Sequence, residues 1–337
     1  AVDLDHAFTQ MKAFYQEHAK GPEHYAASVV LDSNAGDLGE ASGAPRILTA
    51  TFPSPMQACL PEESQRVPFR IVLPQSEPWA VVVICGGTAD ETFIYRQKAF
   101  AEPLRNSGVA SLLPMPPFYG ARRRKGQYMC FLSSLSDMVL QCYAESVEAI
   151  ALLDWARVRY PKALLGMVGI SKGAGVVIGS SGHVHRDVAM VPILMPSSPS
   201  VLATGSTVHE LSLEALGASM RGEGPTWTDV RQLLVDTLES VGSPDCGGAL
   251  PLLPRGSYQR CAVCVGAAND GIVSRESTLK AFERLRETQD EHAELQWISG
   301  GHSSSFIRAP AGTYVKPVLR SLQRLREAQK SAPCSRL

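Results

Sequence analysis

Short apolar runs alternate with helical patterns along this chain, and that alternation limits the folds it can adopt. The apolar runs occupy residues 80–85, 109–114, 164–170, 188–194, 261–266 and 295–298. Helical spacing of apolar residues marks the stretches 96–106, 137–159, 172–181, 275–288 and 313–329. Strands that alternate with helices form βαβ units, and strands that are apolar on both faces belong to mostly parallel sheets. The sequence therefore predicts an α/β protein with a doubly covered sheet.

Two regions depart from this alternation. Residues 3–19 place apolar side chains at spacings of three and four, which predicts an amphipathic helix, and a leader rich in Gly, Pro and Ser follows. Residues 196–258 contain helical patterns but no convincing strand. We therefore predict an N-terminal helix and extended leader over 1–65, then one α/β domain over 66–337 with a helical cap inserted at 196–258.

Overall charge and hydropathy exclude some classes of partner. The formal net charge is −1 and the sequence pI is about 6.8, so no global field attracts nucleic acid or an anionic surface. No apolar run reaches the ~18 residues that a transmembrane helix needs. Neither nucleic-acid binding nor a transmembrane segment is expected.

The eight cysteines are scattered and do not form a disulfide framework, which favours a reduced compartment. Cys261 and Cys264 form a CxxC motif, but they lie in a predicted strand and should point to opposite faces. We predict neither a metal site nor a cofactor.

The strongest motif is Gly169-Ile170-Ser171-Lys172-Gly173, between an apolar run and a helix of small residues. A strand-to-helix turn of this kind presents a nucleophilic serine, and the flanking glycines avoid steric clashes in the strained turn. The helix N-terminus favours negative charge on a substrate oxygen, so the backbone N–H of Lys172 is a candidate oxyanion donor. The motif predicts Ser171 as the nucleophile of an α/β-hydrolase.

A serine nucleophile requires a base and an acid that orients it, and in this fold they follow in the order acid, then histidine. Asp270 follows the apolar run 261–266, and His302 follows the run 295–298. A loop aspartate before glycine is often only a turn former, and a loop histidine is often only solvated. Their joint occurrence behind the Ser171 motif favours a Ser171-His302-Asp270 triad.

The second oxyanion donor is expected in the loop 85–90, where two glycines allow close approach of the backbone. We assign it to the backbone N–H of Thr88, with Gly87 as a nearly equal alternative. Asp90 in the same loop is open to a purely structural interpretation. The Lys172 side chain has three readings: it pairs with an acid, faces the substrate or is solvated.

Four consecutive cations follow the strand at 109–114. Arginine clusters can hold phosphate through bidentate hydrogen bonds, so Arg122 and Arg123, with Tyr119, are candidate substrate-binding residues. The alternative is a solvated face or an ion-pair network.

Several of these segments together resemble the eukaryotic α/β-hydrolase-domain-containing eighteen family over roughly residues 65–325. The resemblance rests on Pro117-Phe118-Tyr119-Gly120 with the paired arginines and Gln127, the Gly87–Asp90 loop, the elbow Gly169-Ile170-Ser171, and Gly301-His302. It implies a serine hydrolase associated with lipids and, for a chain that starts at Ala1, a mitochondrial setting with a processed N-terminus. Two departures stand out: Arg124 replaces a proline of the family, and the elbow Ser171–Ala174 is closer to that of acyl-CoA thioesterases.

The sequence thus predicts a serine hydrolase that cleaves an ester of an acyl or lipid substrate, with the Leu and Val content of the predicted cap favouring a fatty acyl chain. Acyl-CoA thioesterase activity is one alternative. The other is a silent hydrolase fold that serves as an accessory or scaffold subunit of a larger, mitochondrial assembly.

Overall fold

A computed structural model describes residues 3–21, 29–31, 46–132, 134–200, 252–307 and 312–331, with a few positions between 232 and 240. Within these residues nine strands form one sheet of order β1-β2-β3-β5-β4-β6-β7-β8-β9. The strands are β1 Val30–Leu31, β2 Arg46–Pro53, β3 Arg66–Leu73, β4 Ala80–Cys85, β5 Val109–Pro114, β6 Leu164–Ile170, β7 Val188–Ile193, β8 Arg260–Ala267 and β9 Glu294–Ile298.

Strands β4 to β9 run parallel to one another, whereas β1, β2 and β3 pair antiparallel at one edge. The carboxyl ends of all six parallel strands therefore lie along the same edge of the sheet. The strand order reverses at β4, and such a switch point is where open α/β sheets bind their ligands.

Helices cover both faces of the sheet, as predicted. On β4, Val81, Val83 and Cys85 join one core cluster, whereas Ala80, Val82 and Ile84 join the other. This period of two reflects the alternation of side chains in a strand. The predicted separation of the CxxC cysteines is also confirmed, because Cys264 packs in the first cluster and Cys261 in the second.

Seven longer helical elements lie wholly within these residues, besides two 3-10 turns at Glu62–Ser64 and Gly120–Arg122. Those that pack on the first face are α1 Leu4–His18, α3 Leu135–Arg159, α4 Lys172–Ser181 and α5 Arg275–Thr288. The second face carries α2, which runs through Ile94–Arg96, the π-helical Gln97–Ala101 and Glu102–Asn106, and α7 Val315–Ser331; the short α6 spans Ser304–Ile307. Ser274 caps α5 as predicted, since its side chain accepts the backbone N–H of Ser277.

The N-terminal region needs a correction. Helix α1 forms where predicted, but residues 46–53 are not an extended leader: β2 pairs with β3 over all eight residues. A boundary at residue 65 therefore divides one sheet. The sequence signal was weak because β3 alternates buried and partly exposed positions, as an antiparallel strand near a sheet edge does.

The predicted cap falls mostly outside the described residues. Of its described positions, Leu238 is buried and packs with Val235 and with Met138 at the start of α3. Among the described helices, none has the length and apolar character needed to cross a membrane.

Helix α3 carries buried carboxylates, and each is neutralised by a cation from another segment. Glu148 lies in a bidentate ion pair with Arg122, at 2.8 Å and 2.7 Å, and accepts a hydrogen bond from the Ser54 hydroxyl at 2.6 Å. The remaining partnerships are Asp137 with Arg124, Glu145 with Lys172, and Asp154 with both His18 and Arg186. The first face of the sheet is therefore fixed by charge pairing as well as by apolar packing.

We expect Glu148→Ala to lower the free energy of unfolding by about 3–5 kcal/mol, because it leaves the buried Arg122 guanidinium without its counter-charge. The measurement is urea unfolding followed by circular dichroism. Glu17→Ala is the control: Glu17 pairs with Lys20 on the surface, with more than half of each side chain exposed, so its loss should change stability little. Equal effects of the two substitutions would contradict the structural importance of the buried pair.

Candidate active site

Ser171 lies at a sharp turn between β6 and α4. Its backbone angles are φ 54° and ψ −115°, a conformation that costs of order 1–3 kcal/mol for a residue other than glycine. Such strain persists only where the surrounding structure imposes it. The turn places the serine hydroxyl at the carboxyl edge of the sheet, next to the switch point.

Two glycines make this turn possible, for the reason predicted from the sequence. A Cβ atom on Gly169 would lie 2.0 Å from the Gly173 carbonyl oxygen. A Cβ on Gly173 would lie 2.6 Å from the carbonyl oxygen of Cys85 and 2.7 Å from that of Gly86. These separations are too short for any side chain, so helix α4 can start this close to β4 only with glycine at both positions.

The structure brings the three predicted side chains together. The His302 Nε2 atom lies 2.9 Å from the Ser171 hydroxyl oxygen, and the His302 Nδ1 atom lies 2.7 Å from a carboxylate oxygen of Asp270. With Nδ1 protonated and donating to Asp270, Nε2 is left as an acceptor for the serine hydroxyl. This is the tautomer in which a histidine can take a proton from Ser171.

Asp270 is itself held in place. Its second carboxylate oxygen accepts the backbone N–H groups of Ile272 at 2.9 Å and Val273 at 2.8 Å. Its side chain is 3% exposed, against 13% for His302. The aspartate is therefore shielded from water and oriented by its own loop, whereas part of the histidine ring remains accessible to solvent.

Backbone hydrogen bonds align the loops that carry the acid and the base. The N–H of Ala268 donates to Ile298 O at 2.9 Å, and that of Asn269 donates to Gly300 O at 3.1 Å, so the ladder between β8 and β9 continues past their ends. Asp270 and His302 therefore follow adjacent strands at matching positions along the carboxyl edge of the sheet.

The candidate oxyanion donors lie on either side of Ser171. The Lys172 N–H is at the first position of α4, where a helix offers no internal acceptor. Gly87 lies against the nucleophile: a Cβ on Gly87 would be 3.2 Å from Ile170 O and 3.8 Å from the Ser171 Cβ. Thr88 follows it with an exposed side chain. The assignment of the second donor to Thr88 stays a prediction, with Gly87 as its close alternative.

Arg96, which the sequence analysis missed, holds the loop 85–90. This fully buried arginine donates to Asp90 at 2.5 Å and to the carbonyl oxygens of Ile84 at 2.7 Å and Pro114 at 2.8 Å. It thus ties together the carboxyl ends of β4 and β5, and Asp90 has the structural role that was left open. Nothing in the sequence distinguishes Arg96 from a surface arginine on a helix.

The Lys172 side chain turns toward the core. Its ammonium forms an ion pair with Glu145 of α3 and lies 4.8 Å from the centre of the Tyr119 ring. Burial is the largest single effect and lowers the pKa of Lys172, but Glu145, Tyr119 and Cys142 together outweigh it and raise that pKa above its ordinary value. Of the three readings of this side chain, pairing with an acid is the one that the structure supports.

The predicted role of Arg122 in substrate binding is wrong. Its guanidinium is 0% exposed and donates to Glu148, to Ser64 O and to Met115 O, so no donor remains for a phosphate group. Tyr119 is also buried, beneath Lys172, and is not open to a substrate. Arg123 is about one-third exposed and pairs with Glu91, so its role in substrate binding stays a prediction. The ion-pair alternative was the correct one for Arg122. The sequence could not decide between the two, because it does not show whether an arginine side chain is buried.

The described cysteines and acids indicate neither a reactive thiolate nor a metal site. The six cysteines described are free, and burial raises the pKa of Cys85 to about 12 and that of Cys142 to about 11, which disfavours their reactive thiolate forms. Within the described ranges no group of three or more His, Cys, Asp and Glu side chains is arranged to hold a metal ion.

Comparisons with known proteins agree with this fold. A family model described as "Alpha/beta hydrolase domain containing 18" matches residues 26–225. The chain is similar to an acetyl xylan esterase from Paenibacillus sp. R4, with a TM-score of 0.56 and 12% sequence identity over 94% of each chain. It is also similar to acetyl xylan esterase 1 from Thermoanaerobacterium sp. JW/SL YS485, with a TM-score of 0.55 and 11% identity over 92% of this chain and 93% of that chain. At such low identity these structures show a shared fold.

We expect Gly173→Ala to destabilise the protein and to remove any activity that depends on Ser171, because its Cβ cannot fit against Cys85 O and Gly86 O. Gly175→Ala is the matched control in the same helix, where an added Cβ meets no atom within 4 Å and should stabilise the protein by up to about 1 kcal/mol. Thermal unfolding of both variants measures the difference. A Gly173→Ala variant as stable as the Gly175→Ala variant would contradict this account of the turn.

Proposed function

The chain belongs to the alpha/beta hydrolase domain containing 18 family, and on that premise we propose that it hydrolyses an ester through a covalent acyl-enzyme on Ser171. The observation that carries the proposal is the continuous hydrogen-bonded path from Asp270 through His302 to the Ser171 hydroxyl, at 2.7 Å and 2.9 Å. Asp270 and His302 lie beyond the matched residues 26–225, so their geometry supports the proposal independently of the family match.

In the first half of the reaction, His302 Nε2 takes the proton of Ser171 as the serine oxygen bonds to the substrate carbonyl carbon. The resulting oxyanion is stabilised by the Lys172 N–H and by a donor from the loop 85–90. Collapse of this intermediate breaks the bond to the alcohol, which leaves with the proton from His302. Asp270 stabilises the imidazolium throughout and does not itself take the proton.

In the second half, His302 takes a proton from water as the water oxygen attacks the acyl carbon. The intermediate collapses, the proton passes to Ser171, and the carboxylic acid leaves. The ion pair between Lys172 and Glu145 supports this chemistry indirectly, because it anchors the start of helix α4 against helix α3 and so fixes the backbone around Ser171.

For the substrate, we propose an acyl or lipid ester with a long acyl chain. The Leu and Val content of residues 196–258 supports an apolar cap, and the family resemblance supports lipids and a mitochondrial setting. Thioesters are the closest alternative because of the sequence of the elbow.

We expect a fluorophosphonate probe to label Ser171, and His302→Ala to abolish labelling and reduce turnover by about a millionfold, because the serine then lacks its base. Peptide mass mapping identifies the labelled residue. Ser303→Ala is the control: this exposed neighbour of His302 has no place in the proton path and should label like the parent. Thermal unfolding of each variant checks that the fold is retained. Absence of labelling in a folded parent protein would argue for a silent accessory or scaffold subunit.

The acyl preference has a separate test. If the acyl chain is buried, each added CH₂ strengthens binding of the transition state by about 0.8 kcal/mol, so two added CH₂ groups should raise kcat/KM by roughly tenfold. A series of p-nitrophenyl esters from acetate to decanoate measures this slope, and the matching acyl-CoA series measures thioester cleavage. Faster turnover of acetate than of decanoate would refute the long-chain substrate, and a preference for acyl-CoA would select the thioesterase alternative.

A further inference from the structure

The exposed apolar side chains concentrate at the edge of the sheet that carries Ser171. Among the described residues, six large hydrophobic side chains are exposed, and five of them lie in the segments that follow β4 and β5. These five are Ile94, Tyr95, Tyr128, Met129 and Phe131, whereas Val158 lies at the far end of α3. Clustered exposed apolar side chains, unlike scattered ones, mark a surface that binds a partner.

The loop 126–132, which we call the aromatic loop, holds its side chains outward in a defined conformation. The Gln127 side-chain amide donates to Phe118 O and to Met129 O, each at 2.9 Å. Cys130 and Leu132 pack against the core. The rings of Tyr128 and Phe131, 74% and 61% exposed, stack on each other with centroids 6.0 Å apart. The loop is thus anchored from beneath and presents its two rings to the outside.

Specific contacts connect the aromatic loop to the candidate active site. Glu91 pairs with Arg123 and accepts the Gly120 N–H at 3.3 Å, which joins the segment after β4 to the segment after β5. Phe118, whose carbonyl oxygen accepts from Gln127, is followed by Tyr119. The Tyr119 ring lies beneath Lys172, next to the nucleophile. A partner bound at the aromatic loop would therefore lie beside the opening to Ser171.

One exposed cation lies beside the aromatic loop. Residues 115–134 contain four cations and no acid. Three of the cations are paired: Arg122 with Glu148, Arg123 with Glu91 and Arg124 with Asp137. Lys125 is exposed and directly precedes the loop. Its backbone N–H donates to the Glu63 carboxylate at 3.0 Å, and its ammonium forms no ion pair within the part of the chain that the structure describes. Exposed aromatic rings next to a cation match the interface of an anionic bilayer, where rings lie at headgroup level and Lys pairs with lipid phosphate.

We propose that the aromatic loop and Lys125 dock the protein on the surface of an anionic lipid bilayer. Tyr128, Met129 and Phe131 enter the interface while Lys125 contacts the headgroups. The edge of the sheet that carries Ser171 then faces the bilayer, so an ester lipid reaches the serine without crossing bulk water. This last step rests on the proposed hydrolase function, but the docking itself does not.

Sedimentation with vesicles tests the docking directly. The protein carries Ser171→Ala so that no lipid is consumed, and the vesicles are phosphatidylcholine alone or phosphatidylcholine with a minority of phosphatidylglycerol. We expect Tyr128→Ser and Phe131→Ser each to weaken binding by roughly tenfold, because each removes a ring from the apolar interface. Val158→Ser, an exposed apolar residue at the opposite end of α3, should bind like the parent.

Lysine substitutions separate the charge contribution. We expect Lys125→Gln to weaken binding to the anionic vesicles by roughly fivefold and to leave binding to neutral vesicles unchanged. Lys162→Gln is the control, since this exposed lysine precedes β6 at the opposite edge of the sheet. Thermal unfolding of each variant confirms that the fold is intact.

Three outcomes would overturn the docking. In the first, the parent protein does not bind vesicles; in the second, the variants with a ring removed bind vesicles as tightly as Val158→Ser does. In the third, those variants still bind vesicles but lose self-association in sedimentation velocity. The last would make the loop a contact between protein chains. Labelling of Ser171 by a fluorophosphonate in the absence of vesicles keeps the two proposals apart. Labelling without vesicle binding defeats the docking alone, and vesicle binding without labelling defeats the hydrolase alone.

Discussion

Helix Leu135–Arg159 carries the interactions on which the arrangement of this protein depends. Its carboxylates are buried, and a buried charge is tolerated only when a counter-charge and hydrogen bonds satisfy it. The counter-charges come from segments far apart in the chain: Lys172 beside the nucleophile, Arg122 and Arg124 in the segment after β5, and Arg186 elsewhere on the same face. His18 adds a hydrogen bond to Asp154. One helix thereby fixes the turn at Ser171, the loop beside it and the N-terminal helix relative to one another.

This pairing also divides the basic segment after β5 into two parts. Arg122 and Arg124 point back toward the helix, and Arg122 uses its remaining donors on the carbonyl oxygens of Ser64 and Met115. Lys125 and the aromatic rings that follow it remain on the outside. The four consecutive cations in the sequence therefore do not act as one cluster. The arginines that pair with the helix support the fold, and Lys125 with the rings that follow forms an exposed surface. This exposed surface is the part available to a partner near the candidate site.

The sequence predicted the central sheet well and its edge poorly. Strands β4 to β9 begin and end within one residue of the predicted runs. For β4 to β8 the reason is that strands buried on both faces appear as uninterrupted apolar segments, whereas the edge strand β9 is only partly buried. Strands β2 and β3 escaped notice because they are antiparallel and partly exposed, so polar residues interrupt them. In the site, Ser171, Asp270 and His302 were predicted and are brought together, whereas Arg96 was missed and Arg122 was assigned the wrong role.

The sequence by itself determined the features that depend on neighbours in the chain: the parallel strands, the helices between them, and a turn at Ser171 that requires glycine on both sides. Local sterics and the periodicity of side chains decide those features, and both can be read from a single segment. Only the tertiary structure decided which acid meets which cation. Arg122 and Glu148 are 26 residues apart, and Glu145 and Lys172 are 27 apart. Such pairs form because burial makes an unpaired charge costly, and burial exists only once the helices have packed on the sheet.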